Sequence, residues 1–236
     1  MAVTSSVAKK ARHAAEGCLY AALWPVVRSS RRRLYPPPRP NEIALTFDDG
    51  PNPECTPRLL DILSGYQIKA AFFLVGKFAE AHPALVRRMM TEGHAIGNHS
   101  WSHPNLTRIP PAEVRRELLA TSQLLEQITG AAVPIFRPPY GACNAKVFIQ
   151  ARSLGMIPIF WNAMTADWGD HSAPQIVDDL VQQVDRNRRR RRATYLVLHD
   201  GSADCSRTSC EQSIEAVSQL IPLLCEEYRF VSIQTG

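Results

Sequence analysis

Two histidines and two adjacent aspartates are the residues of this sequence whose spacing most clearly indicates chemistry. His99 and His103 lie four positions apart in the segment HSWSH, and on a helical turn this spacing puts both imidazoles within reach of one metal ion. Asp48 and Asp49 stand side by side in the segment TFDDG. One carboxylate added to two imidazoles leaves metal positions open for water and substrate, as catalytic sites do. Asp-Gly turns and surface histidine pairs are common, so each pair alone is weaker evidence than the two together.

The rest of the chain predicts the elements that must position these side chains. Short strand-like segments alternate with longer helical segments, a pattern typical of parallel strands and crossover helices in an open sheet or a closed barrel. The fold class is therefore α/β. The predicted strands are Glu42–Phe47, Lys69–Val75, His94–Gly97, Ile135–Arg137, Met156–Trp161, Thr194–Leu198 and Arg229–Ile233. The predicted helices are Thr56–Ser64, Pro83–Glu92, Pro111–Thr129, Ala145–Leu154, Pro174–Asn187 and Glu211–Glu227.

Polar side chains follow the carboxyl ends of these predicted strands. Asp48 and Asp49 follow the first strand, and His99 follows the third. Asp167 comes soon after the fifth strand, and His199 ends the sixth. In parallel α/β architectures this edge is where active sites are built. Folding alone does not explain polar residues confined to one edge, so the sequence predicts an enzyme site there.

Length and composition indicate one globular domain with a basic extension. The chain has 236 residues, of which 45% are hydrophobic and 21% charged, values that argue against a disordered chain or a membrane channel. Basic residues are concentrated in the first 40 positions and in the arginine-rich run 186–192. The proline-rich segment 34–40 is an extended spacer. We therefore expect an N-terminal extension at 1–40 and a catalytic domain at 41–236.

The extension and the arginine run bear on location and partners. Apolar residues 17–27 follow three basic residues, but no cleavage site comes after them and residues 28–33 are rich in arginine, so we expect a cytoplasmic protein. The apolar stretch is too short to span a bilayer and is interpreted as a helix in peripheral contact with a membrane, with a frayed extension as the alternative. The arginine run is interpreted as a solvated loop, with contact to an anionic partner such as lipid headgroups, nucleic acid or an acidic glycan as the alternative. It lacks interleaved aromatic residues, so no nucleic-acid partner is expected.

The six cysteines do not form a recognisable framework. None lies in a CxxC pattern, and six in a chain of this length are not typical of a small disulfide-rich protein. We interpret them as mostly reduced. Pairing between Cys205 and Cys210 is left open.

Five motifs in a fixed order resemble those of a known family. They are Thr46–Gly50 (TFDDG), His99–His103 (HSWSH), Arg137–Gly141 (RPPYG), Asp167-Trp168 (DW) and Leu196–His199 (LVLH). This order resembles the polysaccharide deacetylase family, also called carbohydrate esterase family 4, whose catalytic unit is the NodB homology domain. The resemblance covers residues 42–233 and implies a distorted (β/α)7 barrel. The longer run TFDDGPNP is similar to the chitooligosaccharide deacetylase branch.

The resemblance implies a metal site and a general base. Asp49, His99 and His103 are implied to bind one divalent ion, most simply Zn²⁺, with Co²⁺ or Ni²⁺ as alternatives. Asp48 is implied to be the general base, and Arg137 to orient it. The implied reaction is removal of the N-acetyl group from N-acetylglucosamine units of an oligo- or polysaccharide by attack of a zinc-bound water.

The resemblance also implies an acid and a substrate pocket. His199 is implied to protonate the leaving amine, with Asp167 orienting its imidazole. The backbone N–H of Tyr140 is implied to stabilise the oxyanion. The side chains implied to shape a pocket for the acetyl methyl group are Trp168, Leu196 and Leu198.

One residue departs from the family pattern, and two other functions stay open. Family members commonly carry Asp at the first position of the DxxDW motif, where this chain has Met164. We expect Asp167 alone to orient His199, with altered packing or substrate contacts at position 164. The alternatives are a zinc hydrolase of the same fold acting on another amide, such as a cyclic imide or ureide, and an inactive carbohydrate-binding module.

Overall fold

Short parallel strands and helices alternate along the described part of the chain. The computed structural model describes residues 39–202 and 210–233. The strands are β1 Glu42–Asp48, β2 Ala71–Leu74, β3 Ala95–Asn98, β4 Ile135–Phe136, β5 Ile157–Pro158, β6 Ala163–Met164, β7 Thr194–His199 and β8 Arg229–Phe230. The helices are α1 Thr56–Gly65, α2 Gly76–Ala81, α3 Pro83–Thr91, α4 Pro111–Thr129, α5 Ala145–Ser153, α6 Ala173–Arg189 and α7 Glu211–Cys225. Two 3₁₀ turns lie at Leu106–Arg108 and Pro139–Gly141.

Most predicted elements are confirmed. All six predicted helices are present, and α4 has the predicted bounds. The short elements α2 and β6 were missed, and the strand predicted at Met156–Trp161 contains only the two residues of β5. The predicted helix in the extension lies outside the described residues, and the division at residue 40 stays a prediction. No helix in residues 39–202 or 210–233 is long and apolar enough to cross a membrane.

Strand β1 lies at the centre of the sheet and sets the register of the site. It pairs with β7 from Ile43 opposite Thr194 to Asp48 opposite His199. On its other side it pairs with β2 and, at its amino-terminal end, with β8. Because β1 and β7 run in the same direction, Asp48 and His199 end side by side at the carboxyl edge.

The sheet must curl, because its two edge strands are consecutive in the chain. The hydrogen-bonded order is β5-β4-β3-β2-β1-β7-β6, so β5 and β6 occupy opposite edges. They are connected by residues 159–162, and a connection of this length reaches at most about 19 Å between the Cα atoms at its ends. Six strand spacings in a flat sheet would require about 29 Å. The parallel sheet therefore forms a curled half-barrel surrounded by helices, which confirms the α/β fold of the distorted (β/α)7 type.

Side chains along β7 alternate between two faces of the sheet. Leu196 and Leu198 are fully buried in the core that joins the sheet to its helices. Tyr195 belongs to a smaller core on the opposite face, and His199 lies on the same face of the strand as Tyr195. The prediction that Leu196 and Leu198 shape a pocket beside His199 is therefore wrong. Val197 is the residue that lies on the His199 side.

A disulfide joins the loop after β1 to the start of α7. Cys55, directly before α1, is bonded to Cys210, directly before α7, and their Cα atoms are 6.2 Å apart. The interpretation of the cysteines as mostly reduced is therefore wrong for this pair, because partners 155 positions apart cannot be recognised from local spacing. Cys205 lies outside the described residues, whereas Cys143 and Cys225 are free.

Removing this disulfide should destabilise the fold, because it closes a loop of 155 residues in the unfolded chain. We expect the double variant Cys55→Ser/Cys210→Ser to lose about 2–5 kcal/mol of unfolding free energy, measured by urea denaturation. Cys225→Ser, which changes a free and exposed thiol, is the control and should match the wild type. A thiol reductant should lower the wild-type midpoint to that of the double variant. Equal midpoints for the wild type and the double variant would contradict the expectation.

Candidate active site

Four residues at the carboxyl edge adopt left-handed backbone conformations, which are unfavourable for residues other than glycine. Asp49, Ser100, His103 and Tyr140 have φ angles of 73°, 66°, 61° and 60°. Each such residue costs about 1 kcal/mol or more, and such residues cluster at active sites. The segment His99–His103 is therefore a turn with left-handed residues, and the helical turn assumed from its spacing is wrong. The two imidazoles still converge, with ring centroids 4.9 Å apart.

The turn brings the three predicted metal ligands together. One ligand atom from each of Asp49, His99 and His103 lies within 4.8 Å of the other two. Nε2 of His99 is 3.3 Å from Oδ1 of Asp49, and Nε2 of His103 is 3.2 Å from the same oxygen. The other ring nitrogen of His99, Nδ1, is 2.7 Å from the carbonyl oxygen of Arg137. Since a carbonyl only accepts, this Nδ1 carries the proton in the neutral ring and Nε2 presents a lone pair.

These donor atoms fit a divalent cation. Oδ1 of Asp49 is buried and accepts no hydrogen bond within the described part of the chain. Burial alone would raise the pKa of Asp49, but the contact with His99 and the charges of His199 and His103 hold it well below its usual range. The ionised Oδ1 of Asp49 and the Nε2 lone pair of the neutral His99 ring face one point, where a divalent cation can bind both. One carboxylate and two imidazoles suit Zn²⁺ and related ions.

The second carboxylate, Asp48, is oriented by a buried arginine. Nη1 of Arg137 donates to Oδ1 of Asp48 at 2.7 Å and to Oγ1 of Thr46 at 2.8 Å. Arg137 is fully buried, and its guanidinium lies 4.1 Å from the ring centre of Phe73. The ion pair leaves Oδ2 of Asp48 beside the predicted metal ligands, 4.0 Å from Nε2 of His99.

An imidazole on the neighbouring strand is held by a third carboxylate. Nδ1 of His199 is 2.8 Å from Oδ1 of Asp167, and the backbone N–H of His199 donates to Oδ2 at 2.8 Å. The hydroxyl of Ser213 in α7 donates to the same Oδ2. Burial lowers the pKa of His199, but the charge and hydrogen bond of Asp167, together with the charges of Asp49 and Asp48, raise it to about 9. The protonated ring is therefore favoured at neutral pH, which suits a proton donor.

Two exposed aromatic side chains border the site. The ring of Tyr140 meets that of His103 edge-on with centroids 4.6 Å apart, and the ring of Trp168 meets that of His199 at 5.0 Å. Tyr140 is 54% exposed and Trp168 38% exposed, so each offers an apolar surface to a ligand. Tyr140 lies in a 3₁₀ turn after β4. The role of its backbone N–H as oxyanion donor stays a prediction.

The residue that departs from the family pattern is held by α6. Met164 in β6 pairs with Val197, and its backbone exchanges two hydrogen bonds with the side chain of Gln183. Asp167 is the carboxylate that contacts His199. The geometry therefore agrees with the expectation that Asp167 orients this imidazole.

A carboxylate on α4 that sequence reasoning missed holds the histidine turn. Glu117 is 8% exposed, and its Oε2 accepts from the backbone N–H groups of Trp101 at 2.9 Å and Ser102 at 2.8 Å. Its Oε1 accepts from the hydroxyl of Ser102 at 2.8 Å. These bonds satisfy the backbone donors of Trp101 and Ser102, and the backbone N–H of Ser100 donates to Oδ1 of Asn98. The available signal was the position of Glu117 next to Leu118 and one turn from Val114, two buried apolar residues of α4.

A further missed carboxylate, Asp200, supports the loop that carries Asp49. Asp200 is buried, accepts from Oγ1 of Thr56 at 2.5 Å, and donates its backbone N–H to the carbonyl of Asp48 at 3.2 Å. Burial raises the pKa of Asp200 to about 7 against the opposing hydrogen bond from Thr56. A Cβ at Gly50 would overlap the carboxylate of Asp200, so the close packing here requires glycine directly after Asp49.

Glu117→Gln should loosen the histidine turn, because an amide offers one acceptor oxygen where the carboxylate offers two. We expect a loss of about 1–3 kcal/mol in unfolding free energy. We also expect roughly 10–100-fold weaker zinc binding, measured by calorimetry, as for other groups that orient metal ligands. Glu113→Gln, one turn earlier on α4 and paired only with Arg116 among the described residues, is the matched control. Equal zinc affinities for the two variants would contradict the role of Glu117.

Proteins similar to this chain carry related names. The family profile described as polysaccharide deacetylase matches residues 36–159. A chitooligosaccharide deacetylase of Bradyrhizobium sp. (strain ANU 289) is 35% identical over 189 residues, which cover 77% of this chain and 84% of that protein. A peptidoglycan-N-acetylglucosamine deacetylase of Bacillus cereus is 41% identical over 140 residues, which cover 59% of this chain and 51% of that protein.

A solved structure supports the same relationship. It is a peptidoglycan N-acetylglucosamine deacetylase in complex with 4-naphthalen-1-yl-N-oxidanyl-benzamide. It matches with a TM-score of 0.73 at 32% identity, over 85% of this chain and 89% of that one. Sequence profile, relatives and fold agree, and the chain belongs to the polysaccharide deacetylase family, carbohydrate esterase family 4.

Proposed function

We propose that this protein hydrolyses the N-acetyl group of N-acetylglucosamine units in an oligo- or polysaccharide, with one divalent ion, most simply Zn²⁺. The observation that carries the proposal is the set of converging donors on Asp49, His99 and His103, which lies between two separately oriented groups, Asp48 and His199. The named relatives support the substrate class, because chitooligosaccharide and peptidoglycan N-acetylglucosamine deacetylases act on the same kind of amide.

Asp49, His99 and His103 are the residues that we assign to the ion. A divalent ion bound by them supplies Lewis-acid chemistry, which polarises an amide carbonyl and lowers the pKa of water. The hydrogen bond from Nδ1 of His99 to the carbonyl of Arg137 fixes the tautomer, so Nε2 is the ligand atom. Co²⁺ and Ni²⁺ are the alternatives to Zn²⁺, because the same donor types bind them.

Asp48 is the general base in this proposal. Its Oδ1 is engaged by Arg137, so Oδ2 is the oxygen that takes the proton of the attacking water. The left-handed conformation of Asp49 turns the chain between the two carboxylates, so neighbouring residues serve different purposes. Arg137 positions the base without touching the substrate.

His199 is the general acid that protonates the leaving amine. Asp167 orients the ring through Nδ1 and stabilises its charged form, which leaves Nε2 to donate. The backbone N–H of Tyr140 is proposed to stabilise the oxyanion, and the exposed ring of Trp168 to border the acetyl group.

The location of the protein stays a proposal. From the sequence we expected a cytoplasmic protein, and we propose peripheral contact with a membrane through the extension at residues 1–40. The Cys55–Cys210 disulfide argues for an oxidising compartment instead, because such bonds are rare in the cytosol. Measuring whether Cys55 and Cys210 are oxidised or reduced in cells distinguishes the cytoplasm from an oxidising compartment.

Exhaustive chelation should abolish acetate release from an N-acetylglucosamine oligomer, and added zinc should restore it. The substrate should lose the mass of one acetyl group for each unit processed, which distinguishes this reaction from hydrolysis of a cyclic imide or ureide. His103→Ala should bind less zinc yet unfold near the wild-type midpoint in the presence of chelator, because a catalytic ion contributes little to folding. Full activity after verified removal of the metal would contradict the proposed metal-dependent hydrolysis.

Asp167→Asn should lower kcat strongly, by roughly 10²–10⁴-fold, because it removes the charge that stabilises protonated His199. The acid form of His199 exists below its pKa of about 9 and is lost above it, so activity falls on the basic side. Without the Asp167 charge that pKa drops, and the basic limb of the pH–rate profile should move to lower pH.

Met164→Asp is the control within the same motif. Its kcat should stay within about tenfold of the wild type, a barrier change of about 1.4 kcal/mol, with any effect falling mainly on KM. A hundredfold rise in kcat would show that the native site is impaired at position 164.

A further inference from the structure

An exposed group of arginines lies at the end of the molecule opposite the candidate active site. The run 186–192 ends α6 and continues into the turn before β7. We name Arg186 and Arg189–Arg192, its exposed members other than Arg188, the arginine turn. Strand β7 runs from Thr194, next to this turn, to His199 in the site. The arginine turn is therefore about 17 Å, one strand length, from the edge that carries the site.

The arginine turn is held firmly against the sheet. Asn187 interrupts the run and is buried, and its Nδ2 donates to Oδ1 of Asn162 at 3.1 Å and to Oγ1 of Thr194 at 3.3 Å. The backbone N–H of Arg192 donates to the carbonyl of Asn187 at 2.9 Å. The arginines are therefore presented on a fixed surface, and the interpretation of the run as a solvated loop describes it incompletely.

The described fold does not use these charges. Arg188 pairs with Asp185 and Glu227, but no member of the arginine turn forms an ion pair within residues 39–202 and 210–233. Arg191 has a φ of 53° at the position after a helix end that favours glycine or asparagine. An arginine there is unfavourable for local structure, and clustered like charges repel one another. Both features indicate that the charges serve a partner.

The position of the chain entry indicates the kind of partner. Ile43 pairs with Thr194, the second residue after Arg192, so the start of β1 and residues 39–41 lie beside the arginine turn. The sequence of residues 1–38 contains further basic residues and the apolar stretch 17–27, which includes Trp24. Basic residues combined with an apolar segment are typical of proteins that bind anionic lipid surfaces. The run lacks the interleaved aromatic residues of single-strand nucleic-acid binders.

We propose that the arginine turn docks on an anionic lipid bilayer, with the candidate active site on the edge that faces away from the lipid. This electrostatic attraction acts at a defined face of the domain. It is additional to any contact of the first 38 residues with the lipid. It does not depend on the hydrolytic reaction.

The experiment measures binding of the full chain to sedimented vesicles of phosphatidylcholine with or without 30% phosphatidylglycerol (roughly the anionic content of a charged membrane surface). The test variant is Arg189→Gln/Arg190→Gln/Arg192→Gln. The control variant, Arg87→Gln/Arg115→Gln/Arg116→Gln, removes three exposed arginines from α3 and α4. We expect the test variant to bind anionic vesicles roughly a hundredfold more weakly, and the control to stay within about twofold of the wild type. Hydrolysis of a soluble oligomer should be the same in all three proteins.

Arg191→Asn separates a binding role from a structural one. Asparagine suits the left-handed position, so this variant should unfold at a higher urea concentration while binding anionic vesicles less tightly. Equal binding by the test and control variants, or no preference of the wild type for anionic vesicles, would overturn the proposal. Binding to duplex DNA at physiological salt without binding to vesicles would assign the surface to nucleic acid and overturn it too.

Discussion

The buried guanidinium of Arg137 is the constraint on which the site depends. A positive charge without access to water requires an anionic partner and further hydrogen bonds, and it finds them on several strands. Its side chain bonds to Thr46 and Asp48 in β1 and to the carbonyl of Ile159 after β5, while its own carbonyl accepts from His99. One residue thus links the strand of the aspartates to the turn of the histidines. The orientation of Asp48, the proposed base, and the tautomer of His99, a proposed metal ligand, are therefore both set by Arg137.

Each carboxylate of the site contacts a different set of partners. Asp48 faces an arginine, Asp49 faces imidazoles, and Asp167 faces one imidazole and the hydroxyl of Ser213. The negative charges of Asp48 and Asp49 also help to raise the pKa of His199. The groups assigned to acid and base are therefore electrostatically coupled, although they sit on separate strands. This coupling follows directly from the register of β1 with β7.

The sequence predicted helices and strands that have a local pattern, and sites made of restrictive residue types. It missed contacts between residues that are far apart in the chain. Helix α4 was predicted to the residue because its period and both ends are local signals. The three residues assigned to a metal ion were selected because their types are restrictive, and the structure brings them together. Glu117 looked like any polar residue on an amphipathic helix, and the partner of Cys210 was 155 positions away. The two leucines of β7 were an avoidable error, since alternation from His199 places them on the other face.

The central position of β1 has a consequence for how the protein is made. Strand β1 emerges from the ribosome before β7, the strand that pairs with it from Ile43 to Asp48. Until β7 is synthesised, one long side of β1 has no partner and His199 is missing from its place beside Asp48. Chain closure over such a separation is slow, because loop entropy must be lost before contacts compensate for it. The catalytic centre should therefore be complete only when the whole domain has folded. Truncated chains should expose the unpaired edge of β1, to which other chains can bind, and no partly active enzyme should accumulate.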